Sequence, residues 1–318
     1  MNKKFGLSQA TMIATLGIIL VLISVYVPML SFLALVVPVP FAIIGTLCER
    51  KYAFLSLIST FLVIMFCVDP IYAINICTMN VAPGLIIGSI AKYSINNENS
   101  NKFEPIYGGM IAFTVCTIVF FLLSKFIFNI DLMGDLNKLI TNVLNEQMNM
   151  MEKMNVDLYK NIKIEDIANL IKSMIPTMLF LQGLFASFIT YYLEVFILKR
   201  IKLANLQKPT FRDFYLPGNA VSASLILYVV VLLLGFMEIG LYTESIMLNL
   251  QMVFNLMFIV QGIAVSIYYA RKWLKQGTGK NVIVSGILLG LFGTMGISFI
   301  GMLDSIIDFR KVRSYKST

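Results

Sequence analysis

The side chains that could do chemistry here are few, and most of them stand inside apolar runs. Asp304 and Asp308 lie four residues apart, so a helix puts them on one face, with Arg310 close behind. Such a group could bind a cation or an amine at the bilayer edge, or Asp304 could cap or pair with a basic loop as an anchor. Asn75 and Asn80 precede Pro83-Gly84, and Pro38 and Pro40 interrupt an earlier apolar stretch. Proline removes a backbone donor and frees carbonyls, so these positions could line a polar pocket. A packed kink, with the asparagines bonding between helices, is the other reading. Gln182, Glu194, Gln251, Asn255 and Gln261 complete the set. Gln251 and Asn255 share a helical face that Gln261 cannot join. Glu194, read as within a turn of Lys199, is expected to snorkel or pair near the interface.

The absences are as informative. The chain has no histidine, which removes histidine general bases, Ser-His-Asp triads and zinc-protease motifs together. Neither a phosphate-binding loop nor a dinucleotide glycine motif is present. Paired carboxylates within one span are lacking, which argues against a proton-coupled pump. Cys48, Cys67, Cys77 and Cys116 form no C-x-x-C pair and are expected as packed free thiols. We therefore expect no enzyme, no catalytic residues, no metal and no cofactor.

The elements that must position these groups are transmembrane helices. At 58% hydrophobic, 13% charged and a mean hydropathy of +0.83, the chain reads as all-α, a polytopic bundle of eight or nine spans with nine favoured. Spans are expected at 7–27, 31–47, 52–68, 71–90, 106–128, 174–198, 219–237, 248–270 and 282–300. The second to fourth are short, and the early helices are broken by proline. The first lacks an A-x-A site and is expected as a retained helix rather than a cleaved signal. The net charge of +8 sits in clusters at span ends, which suits orientation signals rather than nucleic acid. Those clusters put the N-terminus and most basic loops in the cytoplasm. The clustered Arg310, Lys311, Arg313 and Lys316 then fall on the wrong side of a nine-span chain.

Three parts are expected: residues 1–198 with a polar insert at 129–173, a cytoplasmic loop at 199–218, and residues 219–318 with three spans and a basic tail. The insert carries seven acidic and five basic residues and two amphipathic helical patterns, with methionines at 148, 150, 151 and 154. Ala10, Ala14 and Gly17 form a small-residue stripe that lets another helix approach, from this chain or from a partner.

Taken together, the proline pair Pro38 and Pro40 with Gly45, then Pro83-Gly84, the Phe211–Pro217 loop containing Arg212, Gln261-Gly262, and the closing Gly301, Asp304, Asp308, Phe309 and Arg310 resemble the YybS family. That family comprises bacterial polytopic membrane proteins with a domain of unknown function. The first six spans also resemble the substrate-binding S component of energy-coupling-factor vitamin transporters. This resemblance implies a solute site toward the outer side, and it assigns the Ala10-Ala14 stripe to a transmembrane coupling subunit that works with ATPases. The long insert and three further spans depart from it.

The expectation is thus a multi-pass protein of the bacterial cytoplasmic membrane that binds or transports a small solute. Its pocket would be lined by Pro38, Pro40, Asn75, Asn80, Pro83 and Gly84. The alternative is a non-transporting scaffold or regulator of envelope or division proteins.

Overall fold

The computed structural model describes residues 5–96, 101–153, 164–203, 209–216, 219–236, 243–274 and 278–312. Met154, Pro217, Arg313 and Lys316 lie outside them. Among the described residues every regular element is a helix, and the β-type contact between Phe5 and Cys48 is an isolated bridge. Among the described residues, seven segments are long and apolar enough to cross a membrane: Leu7–Tyr26, Pro28–Leu47, Arg50–Cys67, Pro70–Ile95, Glu104–Phe128, Ile175–Arg200 and Thr243–Lys272. Ala220–Phe236 and Gly293–Ile307 are shorter apolar helices. Hydrocarbon offers the backbone no hydrogen-bond partners, and a helix satisfies its own N–H and C=O groups within the segment. The chain divides into two compact units, Met1–Lys208 and Pro209–Thr318.

In the first unit, α1 (Leu7–Tyr26) leads into a 3-10 stretch, Pro28–Val36, and then α2 (Pro38–Leu47). Pro38 and Pro40 do not kink a helix; they begin one. The N–H groups of a first turn have no intrahelical acceptor, so proline loses nothing there. Every residue of α2 is buried. After α3 (Arg50–Cys67), the Asp69 carboxylate caps α4 (Pro70–Ile76), accepting from the Tyr72 N–H at 2.7 Å. A wide π turn, Cys77–Val81, separates α4 from α5 (Ala82–Asn96). Pro83 explains it. A proline ring clashes with the carbonyl four residues back, here that of Met79, and the wider turn relieves that clash.

The unit continues with α6 (Glu104–Phe128), closed by Asn129 in the left-handed conformation, and with the amphipathic α7 (Leu132–Lys153) and α8 (Ile164–Ser173). Its last helix is α9 (Ile175–Arg200). The tightest seam is that of α2 against α5. A Cβ on Gly84 would stand 2.5 Å from the Pro38 carbonyl oxygen, and one on Gly88 would run into the Ala42 carbonyl. Only glycine lets the two backbones touch.

In the second unit, a 3-10 turn at Phe211–Asp213 precedes α10 (Ala220–Phe236), α11 (Thr243–Leu274) and α12 (Thr278–Ile307). α12 breaks at Gly293, whose φ of 63° and ψ of 176° belong to glycine territory. The expected span 282–300 therefore straddles a kink. α11 and α12 pack along their length, meeting at Gly262, beside the Ile297 carbonyl, and at Gly301, beside that of Phe258.

Candidate functional site

Among the described residues, each unit buries one carboxylate. In the first, α9 turns a face of small and polar residues inward: Gly183, Ser187, Thr190, Tyr191 and Glu194 recur at helical spacing and are all buried. The Ser187 hydroxyl donates to the Ile106 carbonyl of α6 at 2.7 Å. A turn and more further on, Glu194 is 0% exposed and its Oε1 meets the Thr46 hydroxyl of α2. Thr46 Oγ1 also lies 3.0 Å from the Gly88 carbonyl of α5. Three helices thus meet at one hydroxyl. Among the described residues, Glu194 Oε2 and Thr190 Oγ1 are buried and find no hydrogen-bond partner.

This corrects the expectation for Glu194. Residues five apart on a helix differ by roughly 140° in direction, so Lys199 points elsewhere and is exposed while Glu194 is enclosed. The signal available in the sequence was the polar stripe itself, from Gly183 through Ser187 and Thr190 to Glu194.

The residues expected to line a pocket are placed differently. Pro38, Pro40, Pro83 and Gly84 are buried in helix-to-helix contact, with Pro38 against Gly84, because a seam of glycine and proline closes on itself. Asn75, in α4, and Asn80, in the π turn, are half-buried. The Ala10, Ala14 and Gly17 stripe is likewise buried within the chain. A Cβ on Gly17 would meet the Phe41 ring of α2 at 2.8 Å, so at this position the stripe faces α2.

In the second unit, the residues from the Phe211 loop, from Gln261 and from the closing motif converge. The Gln261 carbonyl oxygen accepts from the Leu216 N–H at 2.9 Å, and its amide donates to Asp304 Oδ2 at 2.9 Å. Arg310 reaches the same oxygen through Nη2 at 2.9 Å and Nε at 3.2 Å. It also donates to the carbonyls of Phe214, at 2.6 Å, and Arg212, at 2.5 Å. Gln261, Asp304 and Arg310 are 0%, 1% and 4% exposed. The anchor reading of Asp304 therefore describes this geometry, and a cation held between two aspartates does not. Asp308 sits past the helix end at a φ of 50°, where its carboxylate accepts from the Val312 N–H, and this turn swings Arg310 back toward Asp304. Arg212 contributes its carbonyl, while its side chain pairs with Asp213 at 3.1 Å. Gln251 and Asn255 are exposed, away from Gln261.

Among the described residues no three metal-ligating side chains cluster. All four cysteines are free.

No solved structure matches the chain. A curated relative, "Uncharacterized protein YybS" of Bacillus subtilis (strain 168), is 22% identical over 327 residues, covering 96% of this chain and 97% of the relative. The profile of a family described as "Predicted membrane protein (DUF2232)" matches residues 15–305, a stretch holding both buried carboxylates, and the chain belongs to that family.

Proposed function

We propose that this integral membrane protein is a solute-binding or transport component, similar in role to the substrate-binding subunit of an energy-coupling-factor transporter. One observation carries the reading: two membrane-length segments packed on each other are both interrupted. Pro28–Leu47 changes from 3-10 to α at Val37, and Pro70–Ile95 carries the π turn at Cys77–Val81. Irregular backbone at membrane depth persists where protein or a watery cavity shields it, and paired broken helices are the usual frame of a transport site. In this reading the solute meets Asn75, half-buried before the π turn, and Asn80, half-buried within it. The buried seam of Pro38 and Gly84 is the hinge against which that site would open. The N-terminus lies in the cytoplasm in this reading, on the strength of the basic loops, and the chain itself catalyses no reaction.

Purification in mild detergent followed by native mass spectrometry tests this. Recovery of a bound small molecule, or of a membrane coupling subunit with ATPases, supports it; repeated recovery of neither overturns it. A second reading, a non-transporting scaffold, draws on the separately packed second unit with its own buried ion pair. That reading predicts partners without nucleotide-binding subunits and no ligand.

A further inference from the structure

Glu194 is used by nothing above, and its surroundings impose a count of protons. Three oxygens stand in a row: Glu194 Oε1, Thr46 Oγ1 and the Gly88 carbonyl oxygen, joined by two hydrogen bonds. A carbonyl oxygen only accepts, and a threonine hydroxyl carries one hydrogen. If Thr46 donates to Gly88, the other bond needs a hydrogen on Glu194. If Glu194 were ionised, Thr46 could serve only one of its two neighbours. The second oxygen decides in the same direction. Glu194 Oε2 is buried without a donor, and a bare carboxylate there would bear the desolvation cost of an unpaired charge. As the C=O of a neutral acid, the same atom loses far less.

The charged and titratable neighbours do not alter this. On α9, Tyr191 is buried and Lys199 and Arg200 are exposed. From α5, Lys92 donates to the Cys48 carbonyl, and Glu49, beyond the end of α2, pairs with Lys51 at 3.0 Å. The acid and base of α6, Glu104 and Lys125, stand in its first and last turns. Among the described residues none of these forms an ion pair with Glu194.

We propose that Glu194 is a proton-binding site inside the first unit, held as a neutral acid whose O–H donates to Thr46 and through it to the backbone of α5. The bonds that close the α2, α5 and α9 junction then depend on that proton. Opening the junction exposes the acid to water, where it ionises. This inference goes beyond solute binding and stands without it.

Infrared spectroscopy of the purified full-length chain at neutral pH, in a detergent without ester groups, tests it. A neutral carboxylic acid has a C=O stretch that an ionised carboxylate lacks. The wild type is expected to show this band, E194Q to lose it while keeping helicity and thermal stability, and T46V to keep it at a shifted frequency because the O–H has lost its acceptor. Absence of the band in the wild type overturns the proposal whatever the variants do. So does its persistence in E194Q, or an unshifted band in T46V. Because no ligand enters the measurement, failure here leaves the solute-binding reading intact, and the reverse also holds.

Discussion

Replacing Arg310 with methionine retains most of the side chain's apolar length and deletes its charge with its four bonds to Asp304, Phe214 and Arg212. Asp304 then keeps one bond, from Gln261, on Oδ2, and Oδ1 already has none. Breaking a buried pair in this way costs about 3–5 kcal/mol, because a charge is left uncompensated. The reverse single change, Asp304→Asn, strands the guanidinium and costs a similar amount, so independent effects would sum to about 6–10 kcal/mol. The double variant strands no charge. It loses only neutral bonds, at about 1–3 kcal/mol for each buried group left unsatisfied. A shortfall of about 3 kcal/mol between the double variant and the sum of the singles is therefore expected, the upper end for coupled neighbours. Reversible unfolding in mixed micelles can measure it through Trp273, the chain's single tryptophan, which lies in the second unit. Single costs that add to within about 0.5 kcal/mol would refute the reasoning, since the two groups would then not be acting as a pair.

Three further outcomes follow from the packing. Gly88→Val places a branched side chain against the Ala42 carbonyl, so the folded yield should fall sharply, whereas Gly6→Ala, where a Cβ finds 3.4 Å of room, should be silent in the same detergent-stability assay. Lys92→Met removes the donor to the Cys48 carbonyl at the end of α2, and a loss of about 1.5–3 kcal/mol is expected for a charge-assisted bond; an unchanged unfolding midpoint would show the bond to be idle. Maleimide should label exposed Cys67 well before Cys48, whose burial pushes its thiol up despite the nearby Lys92 and so lowers its thiolate fraction at neutral pH. Equal rates, read by mass spectrometry, would contradict the burial of Cys48.

Composition and periodicity alone determined that this is a helical membrane protein, where most helices run, and that the chain breaks near Pro38 and Pro83. Those properties are local: apolar length sets a span, and a missing N–H interrupts a helix wherever it falls. The motif positions of the second unit were also visible, though not their meeting. What the sequence could not show is which helix faces meet. Thr46 finds Glu194 across 148 positions, and Arg310 finds Phe214 across 96. Helical spacing tells which residues share a face but is silent on the partner that face selects. The glycines supply the reason. Their bare backbones at 84, 88, 262 and 301 let particular helix pairs close to contact, and that closure buries Pro38 and Pro40 in a seam and encloses Glu194 beside Thr46. Only the tertiary structure decided that the residue expected to snorkel toward lysine is the one sealed inside.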